Sequence, residues 1–157
     1  MSVLACKVVR RHGWTVYAYC LMPNHYHLVL ETPADDLAAG MHLLNGRYAR
    51  RFNVRHGRVG HVFQGPYGAR PIADDDHLLR CCRYVVLNPV RAGLCRDPAA
   101  WRWSSYRVQI GLDEGPGLVD VRRIHALAGG PEGFRDYVLD GVDDCNLVET
   151  RLLPGQS

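Results

Sequence analysis

The sequence predicts an α+β domain, and three observations predict it. Residues 14–22, WTVYAYCLM, are rich in β-branched and aromatic side chains and read as a strand. Pro23-Asn24 turns the chain, and residues 25–32 read as the antiparallel return strand. Apolar residues then recur at helical spacing over 36–55 and again over 75–88. A chain of 157 residues is long enough to bury a real core in one domain.

The remaining elements follow from local signals. Residues 3–11 read as the end of a helix, with Val3, Leu4, Val8 and Val9 on one face and Gly13 as its stop. Pro33-Ala34-Asp35-Asp36 ends the second strand and offers an N-cap. In helix 36–55, Leu37, Met41, Leu44, Tyr48 and Phe52 form the apolar stripe. Residues 61–73 read as a strand interrupted by Gly65-Pro66 and Gly68, at an edge or a bulge. Asp74, Asp75 and Asp76 suit the start of helix 75–88. Asn88-Pro89 ends it, because the residue before a proline avoids helical geometry. Gly93 closes a short turn, and Asp97-Pro98 opens another short segment. Trp101, Trp103 and Tyr106 read as packing anchors, with Ser104 or Ser105 as a cap. After the loop 111–117, residues 119–128 and 132–140 read as short helices, and the chain beyond Val142 as loose.

Composition excludes some classes. No stretch reaches the length of a membrane span, and the opening residues lack the order of a secretory signal, so a cytoplasmic protein is expected. Net charge is only +3, which by itself does not argue for nucleic acid. The basic residues are nevertheless almost all arginine, with Lys7 the single lysine. Arginine binds phosphate bidentately and stacks on bases, although a GC-rich genome gives the same bias. The six cysteines form no CxxC pair and read as reduced, packed thiols. A zinc site made by Cys20 with His25 and His27 is an alternative.

Two stretches carry candidate chemistry. In a strand, His25 and His27 point to one face and Tyr26 to the other, so two imidazoles can chelate a metal. On helix 75–88, Leu78, Leu79, Cys82, Val85 and Val86 share one apolar sector. His77, Arg80, Tyr84 and Asn88 fall in a second sector, roughly opposite, with Arg91 just beyond. A phenol, a carboxamide and guanidinium groups on one face suit phosphoryl transfer, with a metal beside the phosphate. A half-exposed tyrosine and a helix-capping asparagine are the plain alternative. Off the stripe of helix 36–55, Arg47, Arg50, Arg51 and Arg55 form the most basic local cluster with His56 and Arg58. That cluster is either a solvated face or a phosphate-contacting surface.

Read together, these segments resemble a known family. Ala18 to Leu30 (AYCLMPNHYHLVL), Arg47 to Asn53 (RYARRFN), Val62 to Gly65 (VFQG), Cys82 to Gly93 (CRYVVLNPVRAG) and Trp103 to Tyr106 (WSSY) occur in the order found in single-tyrosine HUH transposases. The resemblance is closest to the REP-associated tyrosine transposases of bacteria. It implies an α+β domain over residues 1–111, with an antiparallel sheet flanked by helices (a ferredoxin-like HUH endonuclease fold), and a helical extension with a loose tail over 112–157. It implies Mg²⁺ or Mn²⁺ held by His25, His27 and Asn88, and Tyr84 as the nucleophile that forms a 5′-phosphotyrosine link. Its substrates are single-stranded DNA hairpins formed by repetitive extragenic palindromes, cut and rejoined. Arg47, Arg50, Arg51, Arg55, Arg80 and Arg91 would contact that DNA. The family includes monomers and homodimers.

The chain departs from the family pattern in three respects. It opens inside the first helix, so the family's first strand is expected to be missing, leaving an unpaired sheet edge and an open core flank. Pro66 and Gly68 stand where basic residues are common in the family, and residues past 111 carry no family motif. A catalytically inactive, truncated relic that only binds DNA is therefore the competing reading, and an unrelated small metal-binding α+β protein a third.

Overall fold

The computed structural model describes residues 2–115, 117–140 and 150–151. Its helices are α1 (Ser2–His12), α2 (Leu37–His56), α3 (Asp75–Arg91), α4 (Tyr106–Gln109), α5 (Arg122–Ala128) and α6 (Gly130–Leu139). Strands β1 (Thr15–Leu21) and β2 (His25–Glu31) pair antiparallel, from Thr15 opposite Glu31 to Leu21 opposite Tyr26, and β3 (Thr150–Arg151) adds to β2. The class is the expected α+β, an antiparallel sheet flanked by helices.

Both faces of the hairpin are buried. On one, Val16, Tyr19 and Tyr26 pack with Ala5, Val8, Trp14, Met41 and Leu44 beneath α1 and α2. On the other, Ala18, Cys20 and Val29 pack with Cys82, Val85, Val86, Tyr106, Ile124 and Phe134 from α3 to α6. The register slips between Val16 and Ala18, a bulge at Tyr17 that puts Tyr17 and Ala18 into the same core. Burial on both sides explains why 14–22 is a nearly continuous apolar run.

Several expectations are corrected. Asp36 precedes α2 but its side chain makes no cap bond. It accepts instead from Trp14 Nε1 at 2.9 Å and lies 2.5 Å from His12 Nδ1, tying the end of α1 to the start of α2. Those two hydrogen bonds, Trp14 first and His12 second, hold its carboxyl below the usual value. Gly40 lets the helices close, because a Cβ there would lie 2.1 Å from the Trp14 ring.

Residues 61–73 form no strand beyond a single bridge at Phe63. Pro66 and Pro71 lack donors for a ladder, and the segment is held by side chains. Val62 is buried, and Phe63 packs edge-on against Tyr26 with ring centres 6.3 Å apart.

Helix α3 does not stop at Asn88. Pro89 is inside it and buried, and the helix ends a turn later. There Leu94 N donates to Pro89 O at 2.9 Å and Gly93 N to Val90 O at 2.9 Å, with Gly93 left-handed at φ 69°. Burial of the proline ring outweighs the local preference against a helical Asn88. The last turn carries Arg91 onto the helix. Helix α5 starts at Arg122 rather than 119, because Val119 bridges Val16 and Asp120 N donates to Val16 O. Trp103 is no packing anchor: it is half exposed, with Arg102 stacked 4.5 Å from its ring. Of the two serines expected to cap α4, Ser105 makes no cap bond through its side chain, whereas Ser104 Oγ accepts from Tyr106 N at 3.3 Å. Of the tail expected to be loose, Thr150 and Arg151 pair with Tyr26 and His25, and the rest lies outside the described residues.

The two outer edges of the hairpin differ. Along β1, Trp101 Nε1 donates to Leu21 O (3.0 Å), and Leu21 N donates to Trp103 O (2.9 Å). Tyr19 N donates to Ser105 Oγ (2.9 Å), Ser105 N donates to Tyr19 O (2.9 Å), and Gln109 Nε2 donates to Tyr17 O (2.9 Å). Along β2, among the described residues, strand pairing stops at Tyr26. Beyond it, Leu28 to Thr32 border a groove of about 510 Å³, whose far wall is Tyr67 and Ala69 to Asp74. No described helix is long and apolar enough to cross a membrane, and no disulfide joins the described cysteines.

Candidate active site

His25 and His27 open β2 on the face covered by α3, whereas Tyr26 turns to the α2 side and donates to Asn45 Oδ1 at 2.5 Å. The two Nε2 atoms are 3.1 Å apart, with the rings nearly perpendicular. His25 Nδ1 lies 2.7 Å from Asn24 Oδ1. A carboxamide oxygen only accepts, so a bond here is donated by His25 Nδ1, with the Nε2 side of the ring turned toward His27. Two cis positions on a divalent ion with bonds of about 2.1 Å are about 3 Å apart. The imidazole pair therefore fits two adjacent sites on such an ion.

A third protein donor has to be of another kind. Among the described residues, no group of three or more His, Cys, Asp or Glu is placed to hold a metal. This removes support from the Cys20 zinc alternative. Cys20 faces His27 across the hairpin but is fully buried, and burial pushes its thiol up to about 12. Asn88 is the candidate the sequence supplied. Its Nδ2 donates to Tyr84 O at 3.1 Å, one turn back on α3, which uses the nitrogen and leaves the carboxamide oxygen, the donor atom a hard cation takes.

Tyr84 is half buried, and its ring stands edge-on to His27, with centres 5.7 Å apart and planes at 89°. Arg91, brought round by the extra turn of α3, holds its guanidinium carbon 4.9 Å from the Tyr84 ring centre. Tyr84 thus faces the strand of His25 and His27 instead of solvent. The fold brings together His25, His27, Tyr84 and Arg91. Arg80 is exposed and lies 3.9 Å from Asp76 on its own helix. Arg47, Arg50, Arg51 and Arg55 are exposed on α2, which covers the opposite face of the sheet from Tyr84.

Sequence reading missed three positions. Asn24 read only as a turn residue, yet it orients His25. Arg83, beside Tyr84, is buried: it donates to Tyr137 O at 3.3 Å and stacks 4.3 Å from the Tyr137 ring. No local pattern marks an arginine whose partner is on α6. Arg123 is the third, and its contacts are described below.

No curated protein and no solved structure matches the chain. The family described as "Transposase IS200 like" matches residues 1–88, more than half of the 157. The matched region contains the His25–His27 strand and runs through Tyr84 to Asn88, while Arg91 and everything from α4 onward lie outside it. With the α+β fold and the apposition of Tyr84 to the histidine pair, that match identifies the chain as a member of the IS200-like transposase family.

Proposed function

We propose that this transposase cuts and rejoins single-stranded DNA with Tyr84 as nucleophile, beside a divalent cation held by His25, His27 and Asn88. The observation that carries this reading is the edge-on contact between Tyr84 and His27, which sets a phenol beside a preformed imidazole pair. When bound, Mg²⁺ or Mn²⁺ would neutralise charge on the scissile phosphate and orient it. The chain supplies the rest. The Tyr84 oxygen attacks phosphorus and gives up its proton, and the bond from phosphorus to the 3′ oxygen breaks. The departing 3′ oxygen takes a proton, leaving a 5′-phosphotyrosine and a free 3′-hydroxyl. Attack by a 3′-hydroxyl on that phosphotyrosine reverses the step and rejoins the strand. Arg91 is positioned to hold a phosphate oxygen against Tyr84. Because β2 and α3 of one chain meet, a monomer suffices to assemble nucleophile and ligands. The family resemblance supplies the substrate class, hairpins of REP type, whose flanks could reach the α2 arginines.

A second reading, a relic that binds DNA without cutting it, draws on the Asn88 amide turned back onto its own helix. Incubation with a single-stranded hairpin and Mn²⁺ separates the two. A covalent protein–DNA adduct, abolished in Tyr84→Phe and in His25→Ala or His27→Ala, is the expected result. Binding without an adduct would favour the relic, and an adduct that survives Tyr84→Phe would remove Tyr84 from the chemistry.

A further inference from the structure

Arg123 on α5 touches three of the elements that build the candidate active site. Its Nη2 and Nε lie 2.7 and 3.1 Å from Asp75 Oδ1, at the first residue of α3. Its Nη1 lies 3.2 Å from Glu31 Oε2, at the last residue of β2, and 3.3 Å from the Tyr17 hydroxyl in the β1 bulge. Tyr17 donates to the same Glu31 oxygen at 2.5 Å. Burial and then the Glu31 bond push the Tyr17 phenol up, which keeps it a donor.

These contacts sit at the opposite end of α3 and β2 from the chemistry, and the two elements run antiparallel. Asp75 to Tyr84 spans about 13 Å of helix at ~1.5 Å per residue. Glu31 to His27 spans about 13 Å of strand at ~3.3 Å per residue. The two arms are of equal length, so the angle set at the Arg123 end fixes the gap between Tyr84 and the histidine pair at the other. At this end of β2, no strand among the described residues pairs on the outer side. Isolated exposed ion pairs do little. A planar guanidinium fork shared by two carboxylates and a phenol is more constrained, because each partner orders the others. The geometry points to Arg123 as a positioning residue, a clamp contributed from outside the family-matched region that holds the nucleophile helix at a working distance from the metal-ligand strand.

The inference rests on Tyr84 being the nucleophile, and the test keeps the two apart. In the full chain, Arg123→Met keeps the aliphatic stem and removes the fork. Its single-turnover rate of adduct formation at saturating hairpin DNA and Mn²⁺ should fall about tenfold or more. Hairpin affinity should stay within about twofold, because the α2 arginines do not depend on the clamp. Arg123→Lys should recover part of the rate, and adding Asp75→Asn to Arg123→Met should cost little more, since both remove one unit. An unchanged rate, fully additive losses, or a loss of DNA affinity matching the loss of rate would overturn the clamp. Should Arg123→Met not fold, Asp75→Asn and Tyr17→Phe carry the same expectation. If the unaltered chain forms no adduct, the Tyr84 reading falls and amide hydrogen exchange decides the clamp. Faster exchange at the first turn of α3 and the end of β2 in Arg123→Met supports it, and unchanged exchange rejects it.

Discussion

The two outer edges of the hairpin are finished by different means. Along β1, backbone groups from Val16 to Leu21 are met one after another by the segment 101–120, through main chain and through the side chains of Trp101, Ser105 and Gln109. Along β2, pairing among the described residues covers Tyr26 and His25, and the strand then borders an open groove. The sealed edge is the one farther from the histidines. The histidine pair sits on the strand whose outer edge is less supported, where Arg123 contacts the far end. The closed edge also depends on residues outside the family-matched 1–88, so the matched region does not complete its own sheet.

The largest expected effect comes from removing the seal. A chain ending at Ala100 loses Tyr106, Ile124, Phe134 and Val138, all fully or nearly fully buried. Each large core truncation costs about 3–5 kcal/mol, and total stability is about 5–15 kcal/mol. Such a chain should show no cooperative unfolding by far-UV circular dichroism, and a folded fragment would break the comparison. Next is Gln109→Leu. Gln109 is fully buried, donates to Tyr17 O and accepts from Ser105 Oγ at 3.1 Å. Leaving those partners unmet should cost about 2 kcal/mol in urea unfolding. Ser105→Ala added to it should cost less than the sum of the two single changes.

On the open side, a chain ending at Asp140 loses the Thr150–Arg151 pairing and exposes the start of β2 as well. It should associate with itself more strongly than the intact chain in sedimentation velocity, as bare edges do. Unchanged sedimentation would mean that this edge needs no cover. The smallest effect concerns Asp36, where the chain passes from β2 into α2. Trp14 and His12 lower its folded value, so the tie is fully present above the unfolded value of about 3.9 and is lost as pH falls through the lowered one. Asp36→Asn should flatten this part of the acid limb in stability measured below about pH 4.

Strand β1 was legible from its β-branched and aromatic residues, and α2 and the Tyr84 face of α3 because each obeys a period of about 3.6 residues over a long window. What could not be read were bonds between distant residues. Gln109 lies in a four-residue helix and resembles a surface glutamine until its side chain is seen on Tyr17 O. Asp36 has the sequence signature of a cap but serves Trp14 and His12. Pro89 carries a stop signal that burial overrides, so Arg91, read as lying just beyond the helix beside Tyr84, is in fact its last residue and lies over the Tyr84 ring. Tyr84 and the histidine pair were therefore visible in advance, and the groups that contact them or their elements, Asn24 and Arg123, were not.

The bulge at Tyr17 has a consequence for chain length. Tyr17 is the extra residue in β1, with no partner of its own between Val16 opposite Leu30 and Ala18 opposite Val29. Removing one residue elsewhere in the hairpin reverses the faces of everything beyond it and turns His25 and His27 toward α2. Removing Tyr17 instead restores regular alternation and leaves Cys20 opposite His27. Here alone β1 can shorten by one without moving His25 and His27, and what it gives up is the phenol that joins Glu31 to Arg123.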